Sequence, residues 1–179
     1  MFDAGCGSFG NNILNNYLFG RRIRRVVSKT LNYSSKEIQA VCEEVYPGVD
    51  FERRITLIDK TLCDRFVVRS EENHNYDYFF HFESAVELKL NGEFELAELG
   101  FSKSGYEHLH KVQKLVNKQD LYTYSFWLDN NEFEAYVDLK DKELFVLESF
   151  DNPVNKMRKT LIIRHKGKNA EFKLQFRLL

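Results

Sequence analysis

Two prolines, three cysteines and no apolar run longer than a few residues mark what this chain of 179 residues has little of. A membrane-spanning helix needs roughly 20 consecutive apolar residues, and none can be drawn, so no membrane role is expected. The opening residues MFDAGCGSFGNN offer neither a basic n-region nor an apolar h-region, which leads to an expected cytoplasmic site of action. Cys6, Cys42 and Cys63 are odd in number and widely spaced, matching neither a disulfide framework nor a CxxC metal clamp, and they read as reduced thiols. There is no internal repeat, low-complexity tract or Pro/Gly linker. Composition likewise excludes collagen, coiled coil and disordered tail.

What remains is 43% hydrophobic, 15% aromatic and 30% charged, the make-up of a globular domain, and the length suits one domain. A net charge of −1 conceals an asymmetry: residues 1–70 carry 11 basic and 8 acidic side chains, 71–150 carry 7 and 17, and 151–179 carry 8 and 2. Such separated fields attract one another inside a fold or face different partners.

Periodicity predicts a helical N-terminal lobe over 11–64. Residues 12–31 read as a helix with Phe19, Ile23, Val26, Val27 and Thr30 on one face and Arg21, Arg22, Arg24, Arg25 and Lys29 on the other. Ser34-Ser35-Lys36-Glu37 has the capping-box arrangement and predicts a second helix with Ile38, Val41, Cys42 and Val45 inward, ended by Pro47-Gly48. Asp50 caps a third, with Phe51, Ile55, Ile58 and Leu62 at i, i+4, i+7 and i+11. From 65 onward the period turns to two. Asn91-Gly92 between 86–90 and 93–99 signals a hairpin. A helix is predicted over about 104–117, with Tyr106, Leu109, Val112 and Val116 on its apolar face. Five strands at 121–128, 132–139, 143–149, 159–165 and 171–178 then read as an antiparallel meander. A turn at Asn130-Asn131 sets Leu128 opposite Phe133 and Phe126 opposite Ala135, an inward set, and the last strand alternates with Phe172, Leu174, Phe176 and Leu178 in and Lys173, Gln175 and Arg177 out. Trp127, Tyr136, Phe145 and Leu147 fall on the second face, which is too apolar to be wholly wet. The expected fold class is therefore α+β: one domain, with a helical lobe at 11–64 and an antiparallel sheet lobe at 65–179.

Motifs for chemistry are sparse. Gly5-Cys6-Gly7-Ser8-Phe9-Gly10 matches GxGxxG, and Asp3-Ala4-Gly5-Cys6-Gly7 resembles the first glycine loop of nucleotide-cofactor methyltransferases over about eight residues; only four residues precede it, so no buried strand aims it, and no cofactor is expected. Asp77, Glu87 and Lys89 resemble the Asp…Glu-x-Lys set of metal-dependent nucleases, in which carboxylates hold Mg²⁺ and a lysine positions water. The plain alternative is a solvent-facing strand in a highly charged chain. His108 and His110, at i, i+2 on the expected helix, diverge by about 160° and cannot share an ion, so no metal site is expected. Trp127, Tyr136 and Phe145 could stack single-stranded bases or pack at an interface.

The reading this supports is binding rather than catalysis. Its first form is a nucleic-acid-associated protein whose Arg21, Arg22, Arg24, Arg25 and Lys29 track phosphate. Its alternatives are a protein-binding inhibitor or immunity-type factor using the acidic 71–150 surface, and the Mg²⁺ nuclease.

Overall fold

A computed structural model describes residues 28–102, 105–151 and 155–179, together with the backbone of two short strands, β1 (Tyr17–Leu18) and β2 (Arg21–Arg22), which pair with each other. The described chain is a β-sandwich. Its further strands are β3 (Lys29–Tyr33), β4 (Glu37–Tyr46), β5 (Val49–Ile58), β6 (Thr61–Ser70), β7 (His74–His81), β8 (Glu87–Leu90), β9 (Phe94–Leu96), β10 (His110–Leu115), β11 (Leu121–Leu128), β12 (Asn131–Asp138), β13 (Glu143–Phe150), β14 (Met157–Gly167) and β15 (Ala170–Leu178). A large sheet runs β3-β4-β5-β6-β15-β12-β11-β8 and a small one β7-β14-β13-β10-β9. Among the described residues no helix is long and apolar enough to cross a membrane.

The expected α+β class and helical lobe are thus overturned. The supposed boundary at 64/65 falls inside β6, and the second and third expected helices are β4 to β6. The reason lies in aliasing: a spacing of four is two strand repeats as well as about one helical turn, so Phe51 and Ile55 share a face in either conformation. In the structure Phe51 faces the core, Ile55 lies on the same face of β5, and Pro47-Gly48 is a hairpin turn in which Gly48 has φ 70°. The capping box is another turn. Ser34 N–H donates to the Glu37 carbonyl at 2.8 Å, while the Glu37 carboxylate receives Asn32 and Arg54, each at 2.7 Å. Of the expected helix at 104–117, the described part is a 3-10 turn at Tyr106–His108 followed by β10, which pairs on both sides.

From β11 onward the strands stand almost where periodicity put them, but they alternate between sheets. β11, β12 and β15 belong to the large sheet and β13 and β14 to the small. The β11–β12 turn is Asp129-Asn130, both at positive φ, so Phe126 lies opposite Phe133 and Tyr124 opposite Ala135. This is two residues from the expected register. A slip of two keeps every side chain on its face, so the expected inward set holds. Asn91-Gly92 does not close a hairpin. β8 pairs with β11 and β9 with β10, so the dipeptide carries the chain from one sheet to the other. Glycine is required there: φ is 88°, and a Cβ would lie 2.9 Å from Leu115 Cδ1.

The two sheets enclose one core. Phe51, Phe66, Tyr124, Val137, Phe172 and Leu174 from the large sheet meet Tyr76, Tyr78, Phe80, Leu144, Val146, Leu161 and Ile163 from the small. The small sheet has a second buried face, where Phe79, Phe145, Leu147 and Ile162 are covered by Leu99, Phe101, Tyr106 and Leu109. That is why β7, β13 and β14 read as near-continuous apolar runs rather than alternating ones.

Candidate active or binding site

Strand ends converge on an open cavity of about 510 Å³ at one end of the sandwich. Leu57, Asp59, Lys60 and Leu62 come from the β5–β6 hairpin; Phe80, His81, Phe82, Glu83 and Val86 from the end of β7 and the loop after it. Phe126, Leu128 and Phe133 come from the β11–β12 hairpin, and Phe176 and Leu178 from the end of β15. Backbone bonds pin these walls. Leu178 N–H donates to the Lys60 carbonyl at 3.1 Å, Phe82 N–H to Lys159 at 2.9 Å, and Val86 N–H to Glu83 at 2.9 Å.

Five phenylalanines form a continuous floor. Phe80 stacks on Phe176 with centroids 5.1 Å apart and meets Phe82 edge-on at 4.8 Å. Phe82 meets Phe126 at 5.6 Å, and Phe126 lies parallel to Phe133 at 5.0 Å. Such offset and edge-to-face pairs add stabilisation beyond area burial. Phe80, Phe82, Phe126 and Phe176 are buried, whereas Asp59, Lys60 and Glu83 are exposed. Carbon therefore lines the depth, and the hydrogen-bonding groups stand at the mouth. That distribution, in a volume between 300 and 1,000 Å³, is the usual form of a small-molecule site.

Two buried polar clusters brace the sandwich behind the cavity. Arg164 forks onto Asp77, with Nε to Oδ1 and Nη2 to Oδ2 both at 2.6 Å, and donates to the Leu99 carbonyl at 2.7 Å. Tyr106 donates its hydroxyl to the same carboxylate at 2.5 Å. Burial pushes the Tyr106 hydroxyl pKa far up, and the adjacent Asp77 charge pushes it further. On the other face, Arg53 forks onto Asp64 and Tyr78 donates to Asp64 Oδ2 at 2.7 Å.

The expected nuclease set does not assemble. Asp77 is enclosed in its ion pair in the small sheet, whereas Glu87 and Lys89 stand exposed on β8 of the large sheet, opposite Trp127 and Ser125. Of the basic residues, Arg21 and Arg22 form a two-residue strand, Lys29 begins the edge strand β3, and Arg24 and Arg25 lie outside the described residues, as does the Gly5–Gly10 loop. Trp127 and Tyr136 share the outer face of the large sheet, but Phe145 is buried in the second core, so the three form no common platform. The acidic middle is partly neutralised from within. Glu148 meets Lys159 at 2.8 Å and Lys111 at 2.9 Å, which hold its carboxyl below the usual range, and Glu143 meets Lys114 at 2.6 Å. His108 and His110 flank the Phe150 ring, and among the described residues no group of three or more His, Cys, Asp or Glu could hold a metal ion.

Sequence reasoning named Phe126, Leu128, Phe133, Phe176 and Leu178 as inward but did not gather them with Phe80 and Phe82. The available signal was the clustering of phenylalanines at strand ends. It missed Arg53, Asp64 and Arg164, whose signal was charge on the apolar face of a strand.

No family model and no curated protein matches this sequence. Solved structures do match. Heparan sulfate lyase HepC from Pedobacter heparinus aligns over 90% of this chain with a TM-score of 0.51 at 11% identity. The GalM/aldose epimerase homologue from C. elegans aligns over 89% of this chain and 69% of its own, with a TM-score of 0.52 at 10% identity. A putative aldose 1-epimerase from Escherichia coli K12 aligns over 85% and 68%, with a TM-score of 0.50 at 7% identity. The chain spans 23% of the lyase's length. At such identities the likeness is one of fold: a β-sandwich held in common with proteins named for carbohydrate chemistry. The nucleic-acid reading, which needed a helical lobe where residues 37–70 form strands, and the inhibitor reading, which needed an acidic 71–150 surface that Lys111, Lys114 and Lys159 partly neutralise, are corrected accordingly.

Proposed function

We propose that this chain is a ligand-binding β-sandwich protein of carbohydrate processing and that the end cavity receives a sugar-bearing ligand. The observation that carries the reading is the cavity itself, with its aromatic floor and polar mouth. A sugar ring has faces of C–H groups and an equator of hydroxyls. The faces lie against aromatic rings, and the hydroxyls need donors and acceptors together. Lys60 supplies donors at the mouth, Asp59 and Glu83 supply acceptors, and His81 can do either. The fold held in common with the lyase and epimerase chains supports the carbohydrate class. A cytoplasmic site of action belongs to the same proposal.

Amide chemical-shift mapping with a panel of mono- and oligosaccharides tests this. Shifts are expected at 57–62, 80–86, 126–133 and 176–178. Phe133→Ala, which removes the half-buried ring of the stacked pair, is expected to weaken binding about tenfold or more. Shifts confined to the outer face of the large sheet, or none with any sugar, would reject the reading.

A further inference from the structure

Below its mouth the cavity offers a sugar's hydroxyls neither donor nor acceptor, and we infer that its ligand is a neutral amphiphile whose alkyl or acyl chain fills the depth while a hydroxylated head stays at the mouth. This rests on the sugar-binding reading of the same cavity and adds the second half of the ligand.

Three observations carry it. The volume of about 510 Å³ equals roughly 17 waters at their liquid volume, yet below the mouth it is walled by Phe80, Phe82, Phe126 and Phe176, which offer no donor or acceptor. A hydroxyl carried past the mouth exchanges water for carbon and weakens binding by roughly five- to a hundredfold. A methylene in the same place strengthens it, because it displaces water that the walls cannot hydrogen-bond. Secondly, the apolar lining continues up to the mouth, where Leu57 and Leu128 are 44% and 43% exposed. These positions would cover the upper methylenes of a chain, whereas a bare sugar leaves them wet. Thirdly, the charges at the mouth select the head. Asp59 and Glu83 oppose a carboxylate and Lys60 opposes an ammonium, while a neutral polyol can donate to the acids and accept from the lysine.

Titration calorimetry with methyl, butyl, hexyl and octyl β-D-glucosides and galactosides, kept below micelle-forming concentrations, tests the inference, with hexan-1-ol and hexanoate as head controls. Affinity is expected to rise up to about fourfold per methylene until the cavity is full, with an increasingly negative heat-capacity change. Hexanoate and hexan-1-ol are expected to bind more weakly than the hexyl glycosides. Equal affinity for methyl and octyl glycosides overturns the chain and leaves the sugar reading standing. Hexan-1-ol binding as tightly as the hexyl glycosides overturns the sugar head, and hexanoate binding more tightly than either overturns the neutral one. No binding of any probe removes the cavity reading and this inference together. Val86→Trp, which builds bulk into the cavity, is expected to abolish the dependence on chain length, and an unchanged series in a folded variant counts against the site. Should that variant not fold, nuclear Overhauser contacts between octyl methylenes and the Phe82 and Phe126 rings of the unmodified protein decide it; their absence in a saturated complex overturns the placement.

Discussion

The two faces of the small sheet solve one problem with the same three residue types. On the inner face Arg53 and Asp64, from neighbouring strands of the large sheet, capture Tyr78 from β7 and so tie the sheets together. On the outer face Arg164 and Asp77, directly opposite each other on β14 and β7, capture Tyr106 and so hold the covering residues Leu99, Phe101, Tyr106 and Leu109. Asp77 and Tyr78 are adjacent in sequence and serve opposite faces, as the period of a strand requires. The surroundings differ. Arg164 is 12% exposed, with its guanidinium 5.1 Å from the Phe101 centroid and 5.2 Å from that of Phe145, whereas Arg53 is 21% exposed. A buried charge is tolerable when its hydrogen bonds are satisfied, and the cost of breaking the set rises with enclosure. The outer cluster is therefore the more costly to break, although it holds the smaller element.

Asp77→Ala should make the largest difference, because it strands the Arg164 charge: a loss of about 3–5 kcal/mol in urea unfolding is expected, and Asp64→Ala should fall at or below the low end of that range because Arg53 reaches water. An Asp64 variant more damaging than the Asp77 variant would reverse the comparison. The tyrosines come next. Tyr78→Phe and Tyr106→Phe each remove one bond to a carboxylate, worth about 1.5–3 kcal/mol, but in different places. Tyr78→Phe should lower global stability. Tyr106→Phe should instead speed hydrogen exchange locally, at Ala97 N–H, which donates to Val112, and at Leu109 N–H, which donates to Tyr106. Uniform acceleration throughout the molecule would show that the cover and the sandwich open as one unit.

Alkaline pH sharpens the same contrast. Burial raises the pKa of both tyrosines above the value of about 10 that they have in the unfolded chain, and the neighbouring aspartates raise it further. Above pH 10 the unfolded state therefore holds fewer protons than the folded one. The stabilisation is complete below pH 10 and is lost as pH rises, by about 1.4 kcal/mol per pH unit for each such tyrosine. Either Phe variant should reduce the slope of stability between pH 10 and 11 by one tyrosine's share; an unaltered slope in Tyr106→Phe would mean that the cover opens first. The smallest effect is expected at Tyr124, whose buried hydroxyl makes no hydrogen bond among the described residues. Tyr124→Phe should leave stability within about 0.5 kcal/mol or raise it, since an unsatisfied polar group is removed. A loss as large as that of Tyr78→Phe would reveal a partner for that hydroxyl.

Particular residues explain what could be read beforehand. The alternation of Phe172, Leu174 and Phe176 with Lys173, Gln175 and Arg177 could be read without ambiguity, because one face of β15 is buried and the other wet. Residues 37–58 misled because spacings of four fit a helix and a strand alike, and propensity yields to pairing when both neighbouring strands are present. Of the cavity, the inward direction of Phe126, Phe133 and Phe176 was legible. Their meeting with Phe80 and Phe82 was not, since it depends on which sheet each strand joins. Asp77 was singled out for a chemistry that the structure denies it: its partner Arg164 lies 87 positions away.

What the sequence determined by itself was local: the strand positions from β11 to β15 and the faces their side chains take. Period-two alternation and turn chemistry act over a few residues, so they can be read from a few residues. Tertiary structure alone decided that β8 and β9 part into different sheets, that residues 37–70 pair as strands rather than coil into helices, and that five phenylalanines from four strands and the loop after β7 close around one cavity. Those outcomes depend on contacts between residues far apart in the chain, whose free energy is set by burial against the opposite layer rather than by any neighbour in sequence.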